Sequence, residues 1–271
     1  MSDLIKKEAI EKVKDELSKI DEKGKKTRKG RFVVAALGSI PWIGGAIAAS
    51  SAIHAEKEQG KINDLLRIWF EEHQRKIEEL YYTIYQIHER LDSAGEDIHE
   101  RMESEEYLTL VRKGFKEWDN AESFEKKEYI RKLLTNACAT DITTDDLVQL
   151  FIEWLRIYHE THFLVIRQIY KNPGITRGQI WNTLNGTEPA ENSLEADLYK
   201  LLIRDLSTGG IIRQHREVDY WGNFVKTTRK SSKSGILTSA FDNEKEYELT
   251  ELGKKFVHYT MEEVVIKLGN E

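Results

Sequence analysis

The chain has almost no cysteine and no recognisable catalytic motif. Cys138 is the only cysteine among 271 residues, which excludes a disulfide framework and a cysteine-based zinc site. The sequence contains no HExxH, P-loop, GxSxG or CxxC pattern, so the usual hydrolase, nucleotide-binding and zinc signatures are absent. We therefore predict a protein that is not an enzyme and uses no cofactor or metal.

The composition is that of a water-facing chain with a small negative charge. The formal net charge is -6 and the mean hydropathy is -0.57. An acidic chain is poorly suited to coating nucleic acid, because that binding depends on neutralising phosphates. Residues 1–31 carry charges throughout, so no signal peptide is expected there, and we predict a cytoplasmic location at rest.

One segment has no charge at all. Residues Phe32 to Ile53 are twenty-two neutral residues in a chain of which 32% is charged. As a helix rising about 1.5 Å per residue, the segment would span roughly 33 Å, enough to cross a hydrocarbon core of about 30 Å. Its many alanines, glycines and serines make it a weak membrane span, and it is also suited to a protein core.

Gly38, Pro41 and Gly44 interrupt the neutral segment near its middle. Because proline removes a helical hydrogen bond and clashes with the preceding turn, the segment is predicted to be a kinked helix or a helical hairpin. In the hairpin, one helix covers 32–37 and the other 42–53. Small residues four apart in the second half would let helices approach closely, in lipid or in protein.

A basic run precedes the neutral segment, with six positive charges and no negative one over residues 23–31. It is either a solvated linker or a contact with anionic lipid headgroups, worth about 1 kcal/mol per Lys or Arg. The predicted headgroup contacts are Lys25, Lys26, Arg28, Lys29 and Arg31. The predicted membrane-inserting residues are Phe32, Val33, Val34, Leu37, Ile40, Trp42, Ile43, Ile47 and Ile53. Trp42 is equally typical of a protein core.

Helical periodicity dominates the first two thirds of the chain. The predicted helices cover 3–22, about 56–106, two stretches within 107–139, and 147–170. Apolar residues at steps of three and four from Ile77 to Leu91 favour an antiparallel bundle. Thr143 and Asp146 resemble a capping box before the last of these helices.

After Pro173, short helices alternate with short strands. The predicted elements are helices over 176–184 and 193–208, strands over 211–218, 224–228 and 245–249, and a last helix over 251–268. This order, together with the turn at 206–213 and the ending at 247–256, resembles a winged helix-turn-helix module. The two short helices are expected to pack through Ile180, Trp181 and Leu184 against Leu198, Leu201 and Leu202.

The second helix of this module is a poor match to DNA. Over residues 191–205, four acidic side chains outnumber two basic ones, which opposes the approach of phosphates. The loop over 220–233 is basic, and its candidates for nucleic-acid or partner contact are Lys226, Arg229, Lys230 and Lys233. We predict protein docking, with DNA binding as the less favoured reading.

His159 and His162 lie three residues apart in the sequence YHETHF and would share one helical face. Two histidines with no third ligand in register are a weak indication of a metal site. Partly buried helix residues are the simpler interpretation, so no metal site is predicted.

The middle of the chain resembles a family of defence proteins. The stretch from Phe124 to Ala137, the run Leu150-Phe-Ile-Glu-Trp-Leu and the winged-helix tail are similar to bacterial abortive-infection (Abi-alpha-type) proteins. The similarity covers residues 120–256 and consists of helix-packing motifs without catalytic residues. It implies a role in antiviral defence, with damage to the cell as the output.

The sequence thus predicts a mainly α protein, with an N-terminal helical bundle followed by a C-terminal winged-helix (α+β) domain. The predicted segments are an amphipathic helix and basic linker at 1–31, a hydrophobic membrane segment at 32–55, a helical domain at 56–171 and a winged-helix domain at 172–271.

The expected function is that of a membrane-acting effector. A sensor or trigger protein binds the chain, the neutral segment enters inner-membrane lipid, and the membrane is permeabilised or depolarised. Homo-oligomers are expected when the protein is active, because one weak span cannot enclose a pore. The alternative is a winged-helix DNA-binding regulator or a non-enzymatic adaptor, with the neutral segment buried in a protein interface.

Overall fold

The computed structural model describes residues 28–41, 43, 75–76, 78–91, 96–140, 143–216, 219–221, 225 and 239–262. Over these residues the protein is mainly helical and has one small sheet of three strands. Of these described residues, those from 28 to 157 together with 259–262 belong to one compact unit, and those from 158 to 258 belong to a second. The boundaries of the four predicted segments stay predictions.

The first unit, called the helical unit below, is built around one central helix. Its described helices are α1 (Arg28–Gly38), α2 (78–91), α3 (Glu96–Glu103), α4 (Glu105–Asn120), α5 (Phe124–Ala139) and α6 (Asp145–Ile157). Helix α4 packs against α1, α3, α5 and α6. Its large side chains Tyr107, Phe115 and Trp118 are buried, so α4 supplies much of the core of the unit.

Serine caps fix where two of these helices begin. The Ser104 hydroxyl accepts a hydrogen bond from the backbone N–H of Tyr107 at 3.2 Å, and Ser123 does the same for Lys126 at 3.2 Å. Such caps satisfy backbone donors that have no partner within the helix. The two helices predicted within 107–139 are confirmed. The helix predicted to reach about residue 106 is wrong at its end, because Ser104 starts a new helix.

The second unit, called the sheet unit below, alternates helices with short strands. Its elements are α7 (Glu160–Lys171), β1 (Ile175–Thr176), α8 (Arg177–Asn185), α9 (Leu194–Thr208), β2 (Ile212–Gln214), β3 (Glu246–Leu249) and α10 (Glu251–Thr260). The last two residues of α10, Tyr259 and Thr260, belong to the helical unit. Strand β3 is central and antiparallel to both neighbours. Ile175 pairs with Tyr247, and Ile212 with Leu249.

The predicted helices of the sheet unit are confirmed at their starts, since each follows a capping side chain. Thr176 accepts from the backbone N–H of Gln179 at 3.3 Å, Ser193 from Ala196 at 3.1 Å, and Thr250 from Gly253 at 2.9 Å. The predicted strands are shorter in the structure, and β1 was not predicted because two residues carry no readable alternation. The last helix ends at Thr260, well before residue 268.

The prediction of one helix over 147–170 is wrong, because Tyr158 and His159 are not helical and separate two helices. The backbone N–H of His159 donates to the imidazole Nδ1 of His162 at 3.1 Å, which starts α7 anew. The helix predicted over 3–22, the strand over 224–228 and the helix over 42–53 fall wholly or mostly outside the described residues.

The packing of α8 against α9 also differs from the prediction. Ile180 is fully buried, but Leu198 and Leu201 are exposed. The buried face of α9 is instead formed by Ala196, Tyr199, Ile203 and Leu206. The Tyr199 ring packs edge-on against Trp181, at 5.2 Å between ring centroids, which turns the leucines outward.

Gly253 allows a close approach that no larger residue would permit. A Cβ at this position would overlap the backbone carbonyl oxygen of Ile211. We expect Gly253→Ala to lower the free energy of unfolding by about 1–3 kcal/mol. The matched control is Gly38→Ala, where a methyl group meets no atom within 4 Å and stability is expected to stay unchanged or rise slightly. Thermal unfolding followed by circular dichroism tests this, and equal melting temperatures for the two variants would contradict it.

Candidate functional site

The first part of the neutral segment is folded into the helical unit as α1. Most of its side chains from residue 32 to residue 40 are buried, namely Phe32, Val33, Ala35, Ala36, Leu37 and Ile40. Val34 is the exception among its large apolar side chains, at 37% exposed. Because α1 packs mainly against α4, this part of the segment is a component of the unit's core.

Phe32 is the main anchor of α1. Its ring lies edge-on to Phe115 at 6.4 Å and edge-on to His88 at 6.2 Å, and it stacks on Tyr107 at 6.3 Å. These are the offset and T-shaped arrangements that aromatic quadrupoles favour. The two rings from α4 and the one from α2 enclose Phe32 completely, so it has no solvent-exposed surface.

The break predicted in the neutral segment is present. Helix α1 ends at Gly38, three residues before Pro41, and the backbone N–H of Ile40 then donates to the Leu37 carbonyl at 3.3 Å. Residues 32–37 are helical as predicted. Residues 44–53 lie outside the described residues, so the choice between a kinked helix and a hairpin stays open.

The basic run reaches into α1, because Arg28, Lys29 and Arg31 are helical rather than part of a linker. Arg31 lines a surface cleft of ≈ 420 Å³ with Arg112, Glu105 and apolar side chains of α1 and α4. Arg112 bonds the Glu105 carboxylate at 2.6 Å, which lowers the pKa of Glu105. The cleft therefore has a paired charge on one wall and Arg31 on the other.

Several predicted site residues fall outside the described part of the chain. Of the membrane-inserting set these are Trp42, Ile47 and Ile53, and of the headgroup set Lys25 and Lys26. The same holds for all four basic residues of the loop over 220–233, Lys226, Arg229, Lys230 and Lys233. Ile43 is described and is half-buried. The predicted roles of all these residues stay predictions.

Within the part of the chain that the structure describes, no helix is both long enough and apolar enough to cross a membrane.

The histidine pair forms a helix start. His162 is buried beside Tyr158, at 4.9 Å between ring centroids, and its Nε2 lies 3.9 Å from the Asp205 carboxylate. Burial lowers the pKa of His162, and the neighbouring Asp205 partly offsets this. Because Nδ1 accepts from the His159 backbone, the neutral imidazole carries its proton on Nε2. Among the described residues no cluster of three His, Cys, Asp or Glu could hold a metal ion.

The exposed side of α9 is a second candidate surface. Leu194 is 71% exposed, Leu198 51% and Leu201 38%. Sequence reasoning missed this face because it assigned Leu198 and Leu201 to the core. A row of large apolar side chains on a helix surface is a candidate surface for contact with another molecule.

Comparison with known proteins gives no assignment. No protein-family model, no curated protein and no solved structure matches this chain. The similarity to abortive-infection proteins thus stays a prediction.

The buried His162 makes the sheet unit sensitive to pH. The pKa of His162 is lowered in the folded protein, so the unfolded chain binds a proton there more readily than the folded one. The free energy of unfolding is therefore unaffected by this histidine above pH about 6.5, and it falls as the pH drops below that value. His162→Asn keeps an acceptor for the His159 N–H and removes the titration. We expect this variant to lose less stability than the native protein between pH 7.5 and 5.5, roughly one unit either side of the imidazole pKa.

Chemical denaturation at several pH values measures the effect. The matched control is His159→Asn, since His159 is exposed and its backbone N–H remains in place. A pH dependence that is the same in all three proteins would contradict the assignment.

Proposed function

We propose that this chain is a non-enzymatic membrane effector held inactive by its own fold, in the antiviral-defence role that the sequence resemblance implies. The observation that carries the proposal is the packing of residues 32–40 into the helical unit. A segment suited by its sequence to both protein and lipid is here packed in protein, which is the resting state that such an effector requires.

The energy of this packing explains why a trigger is needed. Burying each of Phe32, Val33, Leu37 and Ile40 is worth about 1.5–3 kcal/mol, or roughly 6–12 kcal/mol in all. A cost of this size leaves α1 exposed to water in about one molecule in 10⁴ or fewer, so spontaneous release is rare. Lipid removes the same side chains from water again, so the cost lies in the exposed intermediate, which a trigger protein lowers by binding the released state.

The sheet unit serves in this proposal as a winged-helix module that docks the trigger. In support, the order α7, β1, α8, α9, β2, loop and β3 is that of a winged helix, and the sheet has the order β1-β3-β2. The helix that would enter a DNA groove is α9. Its outer face carries leucines beside Glu195 and Asp197, which favours a protein partner over phosphates.

The same packing supports a second candidate, a non-enzymatic adaptor. In this case α1 is a permanent part of the core and the neutral segment never leaves the protein. The exposed leucines of α9 favour protein docking in both candidates, and the two differ only in whether α1 is released. A DNA-binding regulator has less support, given the apolar and acidic face of α9.

Leakage of dye-filled vesicles containing anionic lipid separates these candidates. Phe115→Ala removes one wall of the Phe32 pocket without altering the neutral segment, so we expect it to release α1 and increase leakage. The matched control is Phe151→Ala, which removes a buried ring of the same unit that packs at a tilt against Trp154 and Tyr259 instead. Equal leakage from both variants would point to general unfolding and contradict the proposal.

Insertion itself is tested by charges placed in the neutral segment. Ile43→Asp with Ile47→Asp, added to Phe115→Ala, should abolish leakage, because each charge at the centre of a bilayer costs about 2.5–3.5 kcal/mol. The control is the same pair of changes to Val. Leakage that persists in the doubly charged variant would contradict insertion of the neutral segment.

A further inference from the structure

A cleft lies along the contact between α1 and α4 in the helical unit. Its volume is ≈ 420 Å³, within the range of roughly 300–1,000 Å³ that is common for small-molecule sites. Each helix lines it with residues three or four positions apart, which lie on one helical face. The lining includes Arg31, Val34 and Gly38 from α1, and Glu105, Leu108 and Arg112 from α4. The cleft is therefore the groove in which these two faces meet.

Arg31 brings to the cleft a positive charge that no ion pair neutralises. Its side chain is half-buried, and no described residue makes an ion pair or a hydrogen bond with its guanidinium. Glu105 is bound by Arg112 instead, at 2.6 Å, and Arg31 adds only a smaller lowering of the Glu105 pKa. Two arginines and one glutamate leave the lining with one net positive charge.

The remaining surface of the cleft is largely apolar. Ala35 and Leu108 are buried where they line it, and Val34 is 37% exposed beside them. Gly38 leaves space, because a Cβ at this position would meet no atom within 4 Å. A ligand that covers these side chains removes apolar surface from water. The cleft thus favours a ligand with an apolar part and one negative charge.

We propose that the α1–α4 cleft binds a small amphiphile with a single negative charge, with its anionic group at Arg31 and its apolar part against Val34 and Leu108. An alkyl carboxylate has this chemistry, because a guanidinium can bond both oxygens of a carboxylate. A second negative charge on the ligand would be repelled by Glu105. A cationic amphiphile would face two arginines.

The ligand would also act on α1. Because one wall of the cleft belongs to α1 and the other to α4, the ligand binds only while the two helices are packed together. At a hundred times its dissociation constant it lowers the fraction of molecules with α1 released about a hundredfold. This regulatory consequence rests on the proposed function, whereas the binding itself does not.

Calorimetric titration of the full-length chain with octanoate tests the binding. We expect one octanoate per chain, and Arg31→Gln should raise the dissociation constant at least about tenfold, because it removes a charge-assisted contact. The matched control is Arg156→Gln in α6 of the same unit, where the arginine pairs with Glu153 on its own helix. Absence of saturable binding would overturn the proposal, as would equal weakening by both variants.

Two other ligands test the two parts of the amphiphile. Acetate has the charge without the alkyl chain, and octyltrimethylammonium has the chain with the opposite charge. Each should bind at least about tenfold more weakly than octanoate. Binding of either as tight as that of octanoate would overturn the assignment.

Flotation with vesicles containing phosphatidylglycerol, whose headgroup also has one negative charge, identifies the source of the ligand. Flotation that is lost in Arg31→Gln but kept in Arg156→Gln would indicate a membrane lipid. Equal flotation of the two variants, together with octanoate binding that needs Arg31, would indicate a dissolved amphiphile.

Vesicle leakage tests the regulatory consequence. Octanoate should reduce the leakage caused by Phe115→Ala and should leave unchanged the leakage caused by Phe115→Ala combined with Arg31→Gln. An equal effect of octanoate on both proteins would overturn the regulation. A chain that binds octanoate through Arg31 but never causes leakage would support the binding site and contradict the proposed function.

Discussion

The packing of Phe32 against the α4 side chains Tyr107 and Phe115 is the interaction on which the helical unit depends. Helix α4 is the element that most of the other described helices of this unit contact, and Phe32 brings α1 to it. A neutral segment beside a basic run has two favourable surroundings, protein and lipid. The aromatic pocket on α4 favours packing of α1 in protein, because it removes the Phe32 ring from water completely and contacts it in favourable aromatic geometries.

The sheet unit buries aromatic side chains in its core and leaves the leucines of α9 exposed on its surface. Its core is rich in aromatic side chains, with Phe163 stacked on Phe256 and Tyr199 on Phe241. That core holds α9 in place from one side and leaves its leucines on the other. A helix fixed in this way loses little conformational entropy when it docks, so even a short apolar stripe can support specific contact.

Local signals in the sequence were sufficient for most helix borders. Ser193 and Thr250 accept from backbone donors three residues away, and Pro41 acts on the preceding turn, so both kinds of signal are readable without tertiary structure. The break at His159 was not readable, because an imidazole replaced the usual hydroxyl or carboxylate cap. Two-residue strands such as β1 are also too short to show alternation.

The candidate site depended on contacts that are distant in sequence. Phe32 and Phe115 lie far apart along the chain, and composition alone suited residues 32–40 to a membrane as well as to a core. The outward direction of Leu198 likewise follows from the packing of Tyr199 and Trp181, not from hydrophobicity. Mainly helical architecture was predictable, whereas the direction of a given face was not.

The central claim is that α1 leaves the helical unit and enters lipid, and a fluorescent probe on α1 tests it most directly. Val34→Cys places a thiol on the exposed side of α1, and burial raises the pKa of the native Cys138 thiol to about 12, so labelling is selective. The account predicts that, in leaking Phe115→Ala protein, quenchers attached to lipid acyl chains extinguish the probe, whereas they leave the resting protein bright. A probe that stays bright while the vesicles leak would contradict the account.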